Sequence, residues 1–232
     1  MSTEIRGVVF DVDGVLFDTE RLTCRTWTEI GAQMGWPQVG ERYLEFVGQN
    51  RADILEKMAR FFGPQFPGAS FMAACSERSQ QRMEREGVPL KPGVREILAF
   101  LRSQNRPTAL ATSTGRERTL RRLELTGLEE YFQAVITGDQ VEHSKPDPEI
   151  YRLACQALGT PPECTLAVED SRNGILSAHA AGMPVVMVPD MIPPSQELDA
   201  LLWRRCATLL ELREVLRSCG LPPETGVCGS QR

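Results

Sequence analysis

The sequence has little of what nucleic-acid-binding and membrane proteins need. It has no excess of positive charge, since the formal net charge is −5 and the sequence pI is about 5.3. Polyanionic DNA and RNA are therefore unfavourable partners. It also lacks an apolar run long enough to cross a bilayer, and no basic segment precedes an apolar stretch near the N-terminus. We expect no nucleic-acid partner, no membrane partner, a cytoplasmic location and, as the simplest case, a monomer.

The chain also lacks the cysteine and histidine spacing of structural zinc sites. Its seven cysteines form no CxxC pair, and it has two histidines. We expect reduced thiols, and we favour them over a loop closed between Cys219 and Cys228. Lysine is scarce as well, because three of the 26 basic residues are lysines and the rest are arginines. One of the three is Lys145, which suggests that a compact positive charge is needed at that place.

What the sequence does have is an alternation of short apolar runs with longer amphipathic stretches. The apolar runs predict strands over residues 7–12, 108–112, 134–137, 165–168 and 184–188. Continuously apolar runs are typical of parallel strands that helices cover on both faces. The amphipathic stretches predict connecting helices over residues 93–103, 117–126, 148–158 and 173–181. This pattern predicts an α/β fold with a doubly wound, mostly parallel, Rossmann-like sheet.

One interval, residues 18–87, contains helical patterns and no convincing strand. It predicts helices over residues 19–34, 51–62 and 71–86, and loops over residues 35–40 and 63–68. Gln38–Glu41 and residues 62–70 are assigned to loops without chemistry, and Trp27 and Trp36 to a small core. An insert directly after the first strand predicts a smaller, all-helical cap domain over the sheet. We expect a catalytic core of residues 1–17 and 88–220, a cap of residues 18–87 and a flexible tail of residues 221–232.

Polar side chains follow four of the predicted strands. In chain order they are Asp11 and Asp13, Thr112 and Ser113, Lys145, and Glu169 and Asp170. Because ligands bind at the carboxyl ends of the strands in open α/β sheets, we expect these side chains to converge. Carboxylates crowded into one small site repel one another, and a hard cation such as Mg²⁺ removes that cost through oxygen ligands.

The same set of side chains indicates phosphate chemistry. Lys145 and the Thr112 hydroxyl can hold phosphate oxygens. A carboxylate beside Mg²⁺ and a lysine is a plausible phosphoryl acceptor, and a second carboxylate two residues on can serve as general acid. Residues 169–171 can also cap the helix that begins near residue 172, and this role can coexist with one in the site.

Four motifs resemble those of the haloacid dehalogenase-like (HAD) phosphatase superfamily, in the same order. They are Asp-Val-Asp-Gly-Val-Leu-Phe-Asp-Thr at 11–19, Ala-Thr-Ser at 111–113, Lys-Pro-Asp-Pro at 145–148 and Val-Glu-Asp-Ser at 168–171. The resemblance covers essentially the whole chain. The helical insert is similar to the cap of the β-phosphoglucomutase-like branch, which contains both phosphatases and mutases.

The resemblance implies a role for each matching position. Asp11 would be the nucleophile and a metal ligand, and Asp13 the acid/base, with its backbone carbonyl also on the metal. Thr112 and Lys145 would hold the phosphate. Asp170 would ligate Mg²⁺, with Glu169 as a direct or water-bridged helper. The implied activity is hydrolysis of a small phosphomonoester, such as a sugar phosphate, through an aspartyl-phosphate on Asp11, with the Ser113 amide at the phosphate.

Two features of the cap bear on the choice between phosphatase and mutase. The mutases carry a histidine four residues after the threonine of the first motif, where this chain has Thr23. Residues 48–51 resemble the cap loop that contacts substrate in this branch, which makes Arg51 a candidate and keeps a β-phosphoglucomutase-type mutase as the alternative. Glu20 is a second candidate for a substrate contact. A non-catalytic regulatory protein on the same fold is a third, less favoured hypothesis, because every core catalytic position is filled.

Overall fold

The structure, a computed structural model, describes residues 4–47, 49, 51–191 and 195–218. Its strands are β1 (Gly7–Phe10), β2 (Thr108–Thr112), β3 (Ala134–Thr137), β4 (Thr165–Glu169), β5 (Val185–Met187) and β6 (Arg204–Arg205). The α-helices of the described ranges are α1 (Thr19–Gln33), α2 (Gln38–Glu41), α3 (Arg51–Phe62), α4 (Gly68–Glu86), α5 (Val94–Ser103), α6 (Arg116–Thr126), α7 (Glu149–Leu158), α8 (Arg172–Ala180), α9 (Gln196–Asp199) and α10 (Leu209–Ser218).

The six strands form one parallel sheet in the order β3-β2-β1-β4-β5-β6. The chain builds outward from β1 to β3 and then returns to the other side of β1 for β4. The topological switch point therefore lies between β1 and β4, where ligands bind in open α/β sheets. This architecture confirms the predicted doubly wound fold.

Burial on both faces of the sheet explains why the strands are continuously apolar. Val8 and Phe10 of β1 belong to one core cluster, on the face that also packs against α5 and α10. Val9 of the same strand belongs to a second cluster on the opposite face, with Tyr151 and Ala154 of α7. Successive side chains of a strand point to opposite faces, so a strand buried on both needs no polar alternation.

The helices between β1 and β2 have an aromatic core of their own. Trp27 of α1 packs edge-on against Tyr43 and Phe71, with ring centroids 5.0 and 5.3 Å apart. Trp36 packs against Phe66 at 5.2 Å. Both tryptophans thus lie in the predicted cap core. The domain boundaries drawn at residues 17, 87 and 220 stay a prediction.

The loop predictions for this interval were wrong in two places. Gln38–Glu41 forms the short helix α2, and α4 begins at Gly68 inside the predicted loop 62–70. Helix α2 packs closely on α1, since a Cβ at Gly40 would lie 2.3 Å from the Thr28 hydroxyl oxygen. A four-residue helix carries no periodic signal, so tertiary packing rather than local sequence stabilises it.

Three further elements have no counterpart in the prediction. Strand β6 is a charged, exposed dipeptide at the sheet edge, and a pair of arginines gives no strand signal. Helix α9 is four residues long, and α10 buries Leu209, Leu212 and Leu216 against α5. No helix of the described ranges combines the length and apolar character needed to cross a membrane. The cysteines at 219 and 228 and the predicted tail 221–232 lie outside the described residues.

Candidate active site

The carboxyl ends of β1, β2 and β4 bring the predicted residues together. Asp11 follows β1 directly, and its backbone N–H donates to the Val168 carbonyl of β4 at 2.9 Å. Thr112 is the last residue of β2, and Asp170 follows β4. All three side chains line one cavity at the switch point of the sheet.

Lys145 is a buried cation between two buried carboxylates. Its Nζ donates to Asp11 Oδ1 at 2.7 Å, to Glu169 Oε1 at 2.6 Å and to the Ala111 carbonyl at 2.9 Å. Burial lowers the pKa of Lys145, but the charges of Asp11 and Glu169 outweigh this effect, so the pKa is raised. Lys145 therefore stays charged next to Asp11.

Asp11, Glu169 and Asp170 form the group that fits a metal ion within the described ranges. One carboxylate oxygen from each lies within 4.8 Å of the others, and all three residues are buried. Burial raises the pKa of Asp11 and of Asp170, and the charge of Glu169 raises both further, although Lys145 opposes this at Asp11. A buried set of hard oxygen donors with excess negative charge suits Mg²⁺.

The approach of Asp170 to the first motif explains the glycine in it. A Cβ at Gly14 would lie 2.1 Å from Asp170 Oδ2, and Gly14 has a φ of +83°. Both the close approach and the backbone conformation require glycine here. The motif thus lets the carboxylates of two strands converge.

Glu169 is fully buried and accepts hydrogen bonds from five donors. Oε1 accepts from Lys145 and from the Tyr151 hydroxyl at 2.7 Å, while Oε2 accepts from the Asp170 N–H, the Ser171 N–H and the Ser171 hydroxyl. Ser171 also caps α8 by accepting from the Gly174 N–H at 3.1 Å. A Cβ at Gly174 would lie 1.8 Å from Glu169 Oε1, so the glycine in the first turn of α8 makes room for this carboxylate. The predicted helix cap and the site role therefore coexist.

Asp13 is not part of the three-carboxylate group, and its side chain accepts hydrogen bonds from other donors. Thr19 Oγ1 and Arg122 Nη1 donate to its Oδ1 at 2.5 and 2.6 Å, and Thr114 Oγ1 donates to its Oδ2 at 2.7 Å. Burial raises the pKa of Asp13, but the charge of Arg122 and these hydrogen bonds outweigh it, so the pKa is lowered. The side chain is thus unavailable to a metal, which leaves the backbone carbonyl as the predicted contact.

The cavity has a volume of about 520 Å³ and lies between the sheet and the helical insert. Glu20, Arg51 and Ser113 line it, as does Thr23 at the position where the mutases carry histidine. Ser113 and Arg51 are exposed, and Arg51 is the first residue of α3. In the loop of residues 48–51, positions 48 and 50 lie outside the described residues.

Glu20 is held inside the cavity by the Tyr43 hydroxyl, which donates to its Oε2. Burial raises the pKa of Glu20 to about 7, and the charges of Asp13 and Asp190 add to the effect, whereas Tyr43 and Arg122 oppose it. The carboxyl group is therefore close to half-protonated at neutral pH, able to donate or accept a hydrogen bond.

Sequence reasoning missed four residues of this site. They are Tyr151, Tyr43, Thr114 and Arg122. Tyr151 lies on the buried face of α7, six residues after Lys145, where a hydroxyl in an otherwise apolar stripe is a weak signal. Arg122 and Arg118 are four residues apart on α6 and line the same cavity. The i,i+4 spacing is visible in the sequence, but the direction in which the two arginine side chains extend relative to Asp13 is not.

Comparison with known proteins identifies the family. The model of the haloacid dehalogenase-like hydrolase family matches residues 8–188. This chain therefore belongs to the haloacid dehalogenase-like hydrolase family, which confirms the resemblance and the expectation of a hydrolase.

Individual relatives agree over nearly the whole chain. A phosphorylated carbohydrates phosphatase of Thermotoga maritima is 32% identical over 212 residues, which are 91% of this chain and 97% of the relative. The crystal structure of CbbY from Rhodobacter sphaeroides in complex with phosphate matches with a TM-score of 0.74 and 31% identity, over 90% of this chain and 96% of CbbY. A putative beta-phosphoglucomutase from Thermotoga maritima matches with a TM-score of 0.76 and 31% identity, over 92% and 99% of the two chains.

Proposed function

We propose that this chain is an Mg²⁺-dependent phosphatase that hydrolyses a small phosphomonoester, in the first place a sugar phosphate, through an aspartyl-phosphate on Asp11. The observation that carries the proposal is the buried group of Asp11, Glu169 and Asp170 around Lys145 at the switch point of the sheet. A cation and a lysine beside a carboxylate favour attack of that carboxylate on a phosphate group.

The residues present fit the metal in number and chemistry. Asp11, Asp170 and the Asp13 backbone carbonyl would hold Mg²⁺, with Glu169 as a helper. When bound, the ion offsets the carboxylate charge and polarises the phosphate oxygens. Glu169 has a second task, because it accepts a hydrogen bond from Lys145 and so orients it toward the phosphate. Thr112, the Ser113 amide and Lys145 would bind the phosphate oxygens.

Asp11 and Asp13 would divide the covalent chemistry. A carboxylate oxygen of Asp11 attacks phosphorus as the bond to the leaving oxygen breaks, and Asp13 gives that oxygen a proton. Asp13 then takes a proton from water, which attacks the aspartyl-phosphate, frees inorganic phosphate and regenerates Asp11. Asp13→Asn should keep phosphate binding but lose turnover, and a normal rate in this variant would remove Asp13 from the acid/base role.

The insert would select the substrate and exclude water. Its wall offers Glu20 with Tyr43, Arg51 at the start of α3, and Gln80 Oε1, a buried acceptor to which no described residue donates. Such polar groups suit the hydroxyl groups of a sugar or polyol, and the name of the Thermotoga maritima carbohydrate phosphatase supports the same class. Closure of the cap over the cavity would exclude bulk water during transfer.

A β-phosphoglucomutase-type activity is the second candidate, favoured by the likeness to the putative Thermotoga maritima mutase. Thr23 argues against it, since its hydroxyl donates to the Thr19 carbonyl at 2.9 Å and replaces the imidazole with a group that titrates far outside the neutral range. A mutase would interconvert the two glucose monophosphates with little net release of phosphate.

The test is phosphate release from a panel of phosphomonoesters, with Mg²⁺ and after chelation. Asp11→Asn should abolish release, whereas Asp199→Asn, a surface aspartate paired with Arg205, should leave it unchanged. Release that survives Asp11→Asn at the wild-type rate would refute the nucleophile. A monomer, a cytoplasmic location and the absence of macromolecular partners remain further predictions.

A further inference from the structure

Arg122 reaches the cavity from α6 and contacts a residue of the proposed chemistry. Its Nη1 donates to Asp13 Oδ1 at 2.6 Å, and its side chain is 11% exposed. The Nε of the same guanidinium is buried and has no hydrogen-bond partner within the part of the chain that the structure describes. An arginine that served only to hold Asp13 would be expected to have its buried donors satisfied by the protein.

Arg118 lies one helical turn before Arg122 and lines the same cavity. It is exposed, and no carboxylate of the described residues pairs with it. Its neighbour on the helix surface, Arg121, is instead paired with Glu124 at 2.6 Å and does not line the cavity. Two arginines of α6 therefore offer unused guanidinium donors to a ligand, whereas the one between them is neutralised.

The helices of the insert add two further polar groups to the wall of the cavity. Gln80 of α4 lines the cavity, and its Oε1 is a buried acceptor that receives no hydrogen bond from residues 4–47, 49, 51–191 or 195–218. Arg51 of α3 lines the same space and also has no carboxylate partner among the described residues. A ligand that fills the cavity beyond the phosphate site would thus meet several cationic groups and an acceptor for a hydroxyl.

We propose that Arg122 and Arg118 form a subsite for a second anionic group of the substrate, and that an anion bound there replaces Asp13 as the partner of Arg122. This inference rests on the proposed phosphatase function. It narrows the substrate to phosphomonoesters that carry a carboxylate or a second phosphate. The guanidinium fork suits either anion, because it donates two parallel N–H groups to a carboxylate or a phosphate.

Replacement of Asp13 by a substrate anion at Arg122 would couple substrate binding to proton transfer by Asp13. While Arg122 holds Asp13, this carboxylate accepts from Arg122, Thr19 and Thr114, and among the described residues it has no hydrogen bond with Lys145. An anionic group that takes over Arg122 frees one of these contacts and lets Asp13 turn toward the leaving oxygen. Substrates without a second anion would bind their phosphate but leave Asp13 engaged.

Matched substrate pairs test the subsite. Glycerol phosphate and phosphoglycerate differ by a carboxylate, and fructose monophosphate and fructose bisphosphate differ by a phosphate. Wild-type protein should have the higher kcat/KM for the anionic member of at least one pair, and which pair responds tells carboxylate from phosphate. Arg122→Gln should lower kcat/KM for that member by about 10- to 100-fold, the range of a hydrogen bond to a charged group.

The comparison within each pair separates the subsite from a merely structural role. For the neutral member, Arg122→Gln should not lower kcat/KM, because it frees Asp13 without removing a contact to this substrate. Arg118→Gln should lower kcat/KM for the anionic member, as Arg122→Gln does, and the control Arg121→Gln should change kcat/KM for neither member. Equal losses for both members of a pair would show that Arg122 only positions Asp13, and would overturn the subsite. An absence of any preference in the wild type would overturn it as well.

Binding separates this inference from the proposed function. In the Asp11→Asn background, calorimetry should show tighter binding of the anionic member, and adding Arg122→Gln should remove the difference. If wild-type protein releases phosphate from no substrate, the phosphatase proposal fails, and the binding result alone then decides the subsite. Equal affinities for both members would reject it.

Discussion

Replacing Glu169 by glutamine tests how much the buried ion pair and hydrogen bonds of this carboxylate stabilise the fold. The carboxylate is fully buried and accepts from Lys145, Tyr151, the Asp170 N–H and both donors of Ser171. Glutamine has nearly the same shape, but only one of its two terminal atoms accepts hydrogen bonds. Either the ammonium of Lys145 or the donors of residues 170 and 171 must then face an NH₂ group.

The expected loss of stability in Glu169→Gln follows from these contacts. Removing one partner of a buried ion pair costs about 3 to 5 kcal/mol. Because Lys145 keeps its 2.7 Å contact with Asp11, the lower end, about 3 kcal/mol, applies. For a chain of this size that corresponds to a fall in Tm of about 6 to 12 °C. The loss of orientation at Lys145 should also lower kcat/KM by at least about tenfold.

The assay is thermal unfolding followed by circular dichroism, together with phosphate release. Tyr151→Phe removes one of the five donors to Glu169 and should cost about 1 kcal/mol. Glu197→Gln breaks an exposed pair with Arg172 and should cost less than about 1 kcal/mol. If Glu169→Gln unfolds within about 2 °C of Glu197→Gln, the buried network does not stabilise the fold as argued.

Three further predictions concern the Lys91–Asp190 ion pair, the Glu20 carboxyl group and the proposed metal ligand Asp170. Lys91→Ala should lower Tm by about 6 to 12 °C, because it removes the buried 2.6 Å partner of the Asp190 carboxylate and leaves it the 3.0 Å contact with the exposed Arg21; an effect no larger than that of Arg172→Ala on the surface would contradict this. Because the pKa of Glu20 is raised from 4.5 to about 7, the wild type should be most stable relative to Glu20→Gln below pH 4.5 and lose that advantage as the pH rises through about 7. Metal-free melting curves across this pH range check it, and a pH-independent difference would refute it. Saturating Mg²⁺ should raise Tm by about 5 to 10 °C in wild type and less in Asp170→Asn; equal shifts in both would exclude Asp170 as a ligand.

Five of the strands could be located from the sequence, because a strand that is buried on both faces of the sheet needs a continuous apolar run. The predicted bounds at β2 and β3 agree with the structure, and those at β1, β4 and β5 differ by one or two residues. Short elements escaped prediction for a physical reason. Helix α2 and strand β6 are stabilised by contacts with α1 and β5, and neither contains enough residues for a periodic pattern.

The residues of the candidate site also fall into those that the sequence could predict and those that it could not. The sequence predicted that four side chains lie close together, because residues that follow parallel strands meet at one edge of the sheet. These are Asp11, Lys145, Glu169 and Asp170. Tyr151, the partner of Glu169, and Arg122, the partner of Asp13, could not be assigned to the site, since Tyr151 reaches it from the first turn of α7 and Arg122 from the middle of α6. Their direction depends on how α7 and α6 rotate against the sheet, which is set by packing and not by local sequence.

The most direct test of the central claim is chemical trapping of the proposed aspartyl-phosphate. Protein mixed with substrate and Mg²⁺ is quenched in acid and treated with borohydride, which reduces an acyl phosphate to an alcohol and converts the aspartate to homoserine. Mass spectrometry should find homoserine at position 11 only in the sample that received substrate. Homoserine at another aspartate, or none at position 11 during active turnover, would contradict the assignment of Asp11 as the nucleophile.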